Sequence, residues 1–328
     1  MFGEDGGPYL MPQQWQVDAS FRYLDAQRHY NGSVEQTQRE NLNTYVVNRQ
    51  RILNVAGTYG LTDQFSASVN IPYLAHGEWG HPIPSEDTAK HIANGPRWNQ
   101  NTSGIGDISI SGKYWFLNTH ENPDQNIMLG VGIKIPTGNS NVLVPYPNQT
   151  GADSTVKPRA ADQSIQPGDG GWGFPLEVDA FKTFGRFAAF MTASYLINPR
   201  DTNNTLSSTS DAPVAANKLY KVHNTVQDQY LFKIGVSYQV LDMLSISVSG
   251  RVEGVPVKDL IGRSDGFRRP GTASFVETGV VWNSPSFGSF SASVPVTITR
   301  DRPADSYGFS GDATFADYIV LVGYSYRF

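Results

Sequence analysis

Asp107, Lys113, Lys134, Glu177, Asp179, Lys233, Arg251, Glu253, Glu277 and Arg327 stand scattered among apolar, serine and glycine residues, with both signs represented. Charges set out like this either pair across a confined space and brace it, or line a path for a polar solute. Neither use is covalent chemistry. The chain has no cysteine, which removes disulfides, thiolate metal sites and cysteine nucleophiles together. Its histidines, His29, His76, His81, His91, His120 and His223, read as loop or strand-end residues. The densest group is His76, Glu78 and His81 with His91 beyond, but no helix or strand repeat sets them at ligand spacing. No metal, no cofactor and no catalytic residue is therefore expected. Gly104-Ile105-Gly106-Asp107 is not a phosphate loop, because strand-like residues follow it where a helix is required. The aspartates between 151 and 169 lack the spaced ligand pattern with a closing glutamate that holds Ca²⁺.

What positions the charges is a two-residue alternation. From Met243 to Glu253, Leu244, Ile246, Val248, Gly250 and Val252 alternate with Ser245, Ser247, Ser249, Arg251 and Glu253, a pattern that a helix would scramble. The run before it repeats the pattern, with Tyr230, Phe232, Ile234, Val236, Tyr238 and Val240 on one face and Lys233, Gly235, Ser237 and Gln239 on the other. Only Leu241-Asp242 separates the two, which makes a hairpin. The same reading predicts strands over 14–29, 44–60, 63–76, 104–118, 125–137, 171–184, 186–199, 225–240, 243–257, 270–284, 288–300 and 315–328.

The connections alternate between two length classes. Short ones fall at 60–62, 118–124, 185, 241–242 and 284–287; long ones, rich in Asn, Pro, Asp, Gly and Ser, fall at about 30–43, 77–103, 138–170, 200–224, 258–269 and 301–314. Short turns on one rim and long loops on the other are the habit of outer-membrane barrels. The expected fold is all-β, a transmembrane antiparallel up-and-down β-barrel of about 12 strands. Residues 1–12 are expected as a flexible periplasmic lead and 13–328 as a single barrel, with both termini periplasmic.

Bulk composition agrees with this. Mean hydropathy is -0.35 and no run of about eighteen apolar residues occurs, which excludes a membrane-spanning helix. A barrel meets lipid with only every second residue, so its average hydropathy stays low. The net charge of -5 and the dispersed Lys and Arg offer no phosphate-binding patch, so no nucleic-acid partner is expected. No apolar leader segment follows Met1-Phe2-Gly3, and Met1 is expected to be an added start on a processed chain.

The last strand carries its own signal. Tyr318, Val320, Val322, Tyr324, Tyr326 and Phe328 share one face, and an aromatic-x-Phe ending resembles the C-terminal signature read by the bacterial outer-membrane assembly machinery. Tyr324, Tyr326 and Phe328 are the residues that carry it. Trp15, Tyr59, Tyr73, Tyr114, Phe116, Trp172, Phe174, Tyr195, Trp282 and Phe290 also fall near strand ends, where rings suit the interface with lipid and lipopolysaccharide. If Phe328 faces lipid, the ten charged residues named first turn inward, joined by Asp18, Arg22, Asp317 and the apolar Phe181, Phe275, Val281, Ile319 and Leu321. Lys182, Arg49 and Arg51 are expected at the rims, facing lipid headgroups.

Tyr59-Gly60-Leu61-Thr62-Asp63 leading to Asn70-Ile71-Pro72-Tyr73, then Gly104-Ile105-Gly106-Asp107 with Lys113-Tyr114, then Lys134-Ile135-Pro136-Thr137-Gly138, form a spaced series. From Gly57 onward the chain resembles the outer-membrane family of meta-pathway phenol-degradation proteins, transporter-like barrels. The resemblance implies passive passage of small organic compounds, hydrophobic or aromatic. Two other outcomes follow from the same barrel: a closed structural or partner-binding barrel acting through its extracellular loops, or an outer-membrane enzyme using a loop histidine.

Overall fold

A computed structural model describes residues 9–82, 97–147, 156–207, 222–308 and 311–328. Twelve antiparallel strands form one closed barrel: β1 (Trp15–Asn31), β3 (Val47–Gly60), β4 (Phe65–Pro82), β6 (Ile108–Trp115), β7 (Gln125–Ile135), β10 (Phe174–Phe184), β11 (Phe187–Ile197), β14 (Gln229–Leu241), β15 (Leu244–Val255), β16 (Gly271–Ser284), β17 (Gly288–Asp301) and β18 (Ala313–Arg327). Consecutive members pair as hairpin neighbours, and β18 returns to β1 from Gln16↔Arg327 to Tyr30↔Ala313. Two further strands extend the wall, β2 (Val34–Glu35) beside β1 and β5 (Arg97–Ile105) beside β4. The long loops hold α1 (Gln38–Asn41) and two small hairpins, β8 (Leu143–Pro147) with β9 (Val156–Ala160) and β12 (Thr202–Leu206) with β13 (His223–Thr225).

Alternation decides the two faces. Leu53 and Val55, Ile127 to Ile133 by twos, Phe232 to Val236 by twos, Ile246 and Val248, and Val276 and Val280 are all large, apolar and exposed on the outside. In a watery protein that belt would be a defect, whereas against lipid it is the stabilising surface. At the short-turn rim it ends in rings: Trp282, Phe290 and Tyr324 follow one another at 5.6 and 4.7 Å, Trp15 sits 4.8 Å from Tyr59, and Tyr326 stacks on Phe328 at 6.3 Å.

Three expectations are corrected. The loop expected from 77 begins later, because β4 runs on to Pro82 and β5 pairs with it from Tyr73↔Ile105 to Pro82↔Arg97. The strand expected over 104–118 is broken at Gly106-Asp107, where Gly106 N–H donates to the Pro72 carbonyl and a Cβ would meet Pro72 at 2.9 Å and the Pro167 carbonyl oxygen at 3.0 Å. The expected flexible lead is packed from Tyr9 on, and residues 1–8 lie outside the described residues. The Tyr9 hydroxyl donates to the Asn122 carbonyl and its ring meets Trp115 and Phe181, while Arg327 donates to its carbonyl at 3.1 Å.

Candidate functional site: the lumen and its inward loop

The inward files carry the polar residues. Arg22 on β1 reaches Glu253 on β15 at 3.0 Å, although the two strands are separated by β16, β17 and β18 around the wall. A bond of that kind has to cross the interior. From Glu253 the chain of charges continues to Arg251, then to Glu277 at 3.4 Å, then to Lys233 at 2.6 Å. Lys113 and Glu177 pair separately at 3.0 Å. Strand register explains the closeness, since Lys233, Arg251 and Phe275 are direct neighbours across β14, β15 and β16, with Glu277 two residues further along.

This belt divides the lumen. On the long-loop side is a cavity of about 940 Å³ whose wall includes Arg22, Glu177, Arg251 and Glu253; on the short-turn side is one of about 830 Å³ whose wall includes Lys113, Asp179, Lys233 and Arg327. Serines 245, 247, 289, 291, 293 and 325 line the second, so it offers hydroxyls more than charge. Leu24, Phe315 and Leu321 pack on buried Ala273, Phe275 and Ile319, giving the first an apolar flank.

Residues 161–170 fold inward from the loop between β7 and β10. Ile165 is fully buried, and its carbonyl accepts from Thr102 on β5 while Gln50 on β3 donates to the Ser164 carbonyl at 2.8 Å. On the other side Arg269 donates to both oxygens of Asp162 at 2.8 and 2.7 Å, and Gln163 donates to the Thr225 carbonyl. The segment is thus pinned to opposite walls. Burial would raise the Asp162 carboxyl, but the Arg269 charge and the Ser164 hydrogen bonds outweigh it and hold the group down at about 2. Within the β15–β16 loop Arg268 donates to both oxygens of Asp259 at 2.6 Å, and Asp228 ties that loop to its neighbour by accepting from Asn198 and Leu260 N–H.

Two sequence motifs meet at the base of this segment. Asp107 accepts from Gly138 N–H at 2.9 Å and Asp169 N–H at 3.0 Å, and Lys134 lies 3.5 Å away with Asp169 as its second partner. Thr137 hydroxyl donates to the Gly106 carbonyl. The Gly104–Asp107 and Lys134–Gly138 stretches are therefore one anchor, which neither reveals alone.

Of the ten charged candidates, Arg251, Glu253, Glu277 and Lys233 join in the belt, Lys113 and Glu177 pair beside it, and Asp107 and Lys134 serve the loop anchor. Asp179 lines the lower cavity, and Arg327 holds Gln16 and the Tyr9 carbonyl. Asp317 departs from the inward file: pairing skips between Leu24/Ile319 and Ala26/Ala316, and Asp317 is exposed beside exposed Tyr318. Arg49 and Arg51 keep the outer file, with Arg49 between Asp25 at 2.9 Å and Glu78 at 3.4 Å. His76 and Glu78 share that face on β4, whereas His81 turns to the other by alternation and lies against Trp79, so the three do not converge. His91 lies outside the described residues. Asp162, Asp228, Asp259, Arg268 and Arg269 were missed, because they lie in irregular loops where no period fixes a side, and Asp162 and Arg269 are 107 positions apart.

The fold is that of outer-membrane β-barrels. A solved outer membrane channel from Pseudomonas putida F1 superposes with a TM-score of 0.63 at 13% identity, over 100% of this chain and 98% of that one. The translocator domain of the autotransporter NalP from Neisseria meningitidis gives 0.47 at 12% identity over 96% and 89%, and the Pseudomonas putida toluene transporter TodX 0.43 at 10% over 97% and 91%. No family model matches the sequence.

Proposed function

We propose that this chain is a bacterial outer-membrane channel that lets small organic compounds, hydrophobic or aromatic, cross by passive diffusion, with both termini periplasmic. The observation that carries it is the pair of cavities along one closed barrel, with the Arg22–Glu253–Arg251–Glu277–Lys233 side chains between them. Side chains can move aside; a hydrogen-bonded wall cannot. The aromatic rings at the short-turn rim and the apolar outer belt fit a barrel set in lipid and lipopolysaccharide, and the Tyr324, Tyr326 and Phe328 ending fits delivery by the assembly machinery. The apolar flank of the upper cavity, with Phe275, Leu24 and Ile319, supports solutes with an apolar body. The resemblance to the phenol-degradation barrels points the same way.

Pinning of residues 161–170 to opposite walls favours a second reading, a shut barrel that works through its loops. Single-channel recording of the refolded full chain in a planar bilayer separates the two. Discrete openings, with faster liposome swelling in aromatic solutes than in sugars of equal size, support the channel. A correctly folded protein that stays silent and excludes every solute overturns it.

A further inference from the structure

The belt is not electrically even. It runs Arg22, Glu253, Arg251, Glu277, Lys233, so it begins and ends on a cation: three positive groups hold two carboxylates. Each carboxylate already has two cations, while Arg22 and Lys233 have one carboxylate apiece. Arg22 opens to the upper cavity and Lys233 to the lower. Each terminal cation is more exposed than the carboxylate it holds, with Glu277 2% exposed against 24% for Lys233, and Glu253 20% against 33% for Arg22. The most exposed groups of the belt are therefore the Arg22 guanidinium on one side and the Lys233 ammonium on the other.

The loop side repeats this arrangement. Arg269 of the inward-segment pair is 26% exposed and lines the upper cavity, while its partner Asp162 is wholly buried behind it. Arg302 lines the same cavity, donates to the Pro270 and Pro303 carbonyls, and has no carboxylate within ion-pair reach among the described residues. Burial and the nearby Arg269 charge lower it to about 10, so it stays charged at neutral pH. The carboxylates on that wall are committed: Asp107 to Lys134, Glu177 to Lys113, Asp312 to Arg39 and His29. Leu24, Phe275 and Ile319 supply apolar surface a few residues from Arg22 and Arg251.

We infer that the solutes of this channel are organic anions, small carboxylates carrying an apolar or aromatic body, which pass from the loop-side cations to Arg22 and across the belt to Lys233. This rests on the channel reading and narrows its substrate class. A carboxylate can take the spare donors of a terminal cation without breaking the pair behind it, and a guanidinium presents a fork matched to two oxygens. An ammonium solute finds no such free partner until the lower cavity, which Asp18, accepting only from Gln16, and Asp179 line without a salt bridge among the described residues.

The test is the reversal potential of the full refolded chain in a KCl gradient, then with benzoate in place of chloride. Anions are expected to be several-fold more permeant than potassium, with benzoate carrying current or blocking transiently. Arg22→Gln with Lys233→Gln, checked for folding by heat-modifiable mobility, should bring the ratio to one or below, and Asp179→Asn should raise it. A cation-selective pore, or a double variant with unchanged selectivity, overturns the inference while leaving the channel reading intact. A silent bilayer sinks the channel reading instead; titration of the folded protein in detergent with benzoate and with benzylamine then decides the anion site, and tighter benzylamine overturns it.

Discussion

At the scale of single residues, the Asp162–Arg269 pair holds the inward segment. Asp162 is depressed to about 2 in the folded protein, below the ordinary carboxylate value of ~3.9. Its contribution is therefore complete above about pH 4 and is lost as the pH falls toward 2. Conductance should stay restricted from neutral pH down to about 4 and rise below it, a course that recording at stepped pH would follow. Asp162→Asn should abolish that step and give the open level at neutral pH, since removing one partner of a buried pair costs roughly 3–5 kcal/mol. The lumen charges were legible because a two-residue period fixes their side, and Lys233, Arg251 and Glu277 are close neighbours in register. The Asp162 latch was not, because its two halves come from different loops and meet only after the barrel has formed.

At the scale of elements, strand positions followed from alternation alone, most cleanly for β14 and β15, where the outer file is uniformly apolar. The upper half of β4 escaped because Gly77-Glu78-Trp79-Gly80-His81-Pro82 carries turn residues; it is a strand through its pairing with β5, which local propensity does not report. The break at Gly106 gives the loop its anchor. There Gly138 and Gly168 meet backbone to backbone, and a Cβ on Gly168 would sit 2.7 Å from the Asp107 carboxylate and closer still to Gly138. Gly168→Val should unseat the inward segment and raise conductance without changing heat-modifiable mobility; an unaltered current with an altered gel shift would contradict that assignment. On the outer file, Val236→Arg should destabilise the barrel by about 2–4 kcal/mol if that position lies near the bilayer midplane, measured as a lower urea midpoint for folding into vesicles.

At the scale of the whole molecule, the fold class was readable from loop lengths and the aromatic ending, whereas the two-cavity lumen was not, since it depends on which inward side chains span the interior. Deleting Phe328 should leave the barrel competent to fold in detergent yet lower the amount recovered in the outer membrane, as fractionation would measure. Equal recovery would separate the terminal ring from delivery and leave it a purely interfacial role.

The pairing of β18 with β1 joins residues 16 and 327, nearly the two ends of the chain. Such a contact has the greatest sequence separation available, so ring closure comes after every hairpin and is the slow step expected of high contact order. A chain truncated by one strand would present two unpaired edges to lipid, each open N–H costing several kcal/mol, and no partial barrel could be stable there. Because Trp15 and Phe328 exchange backbone hydrogen bonds at the same rim, linking the ends and cutting at a long loop should instead yield a permuted barrel with the same wall.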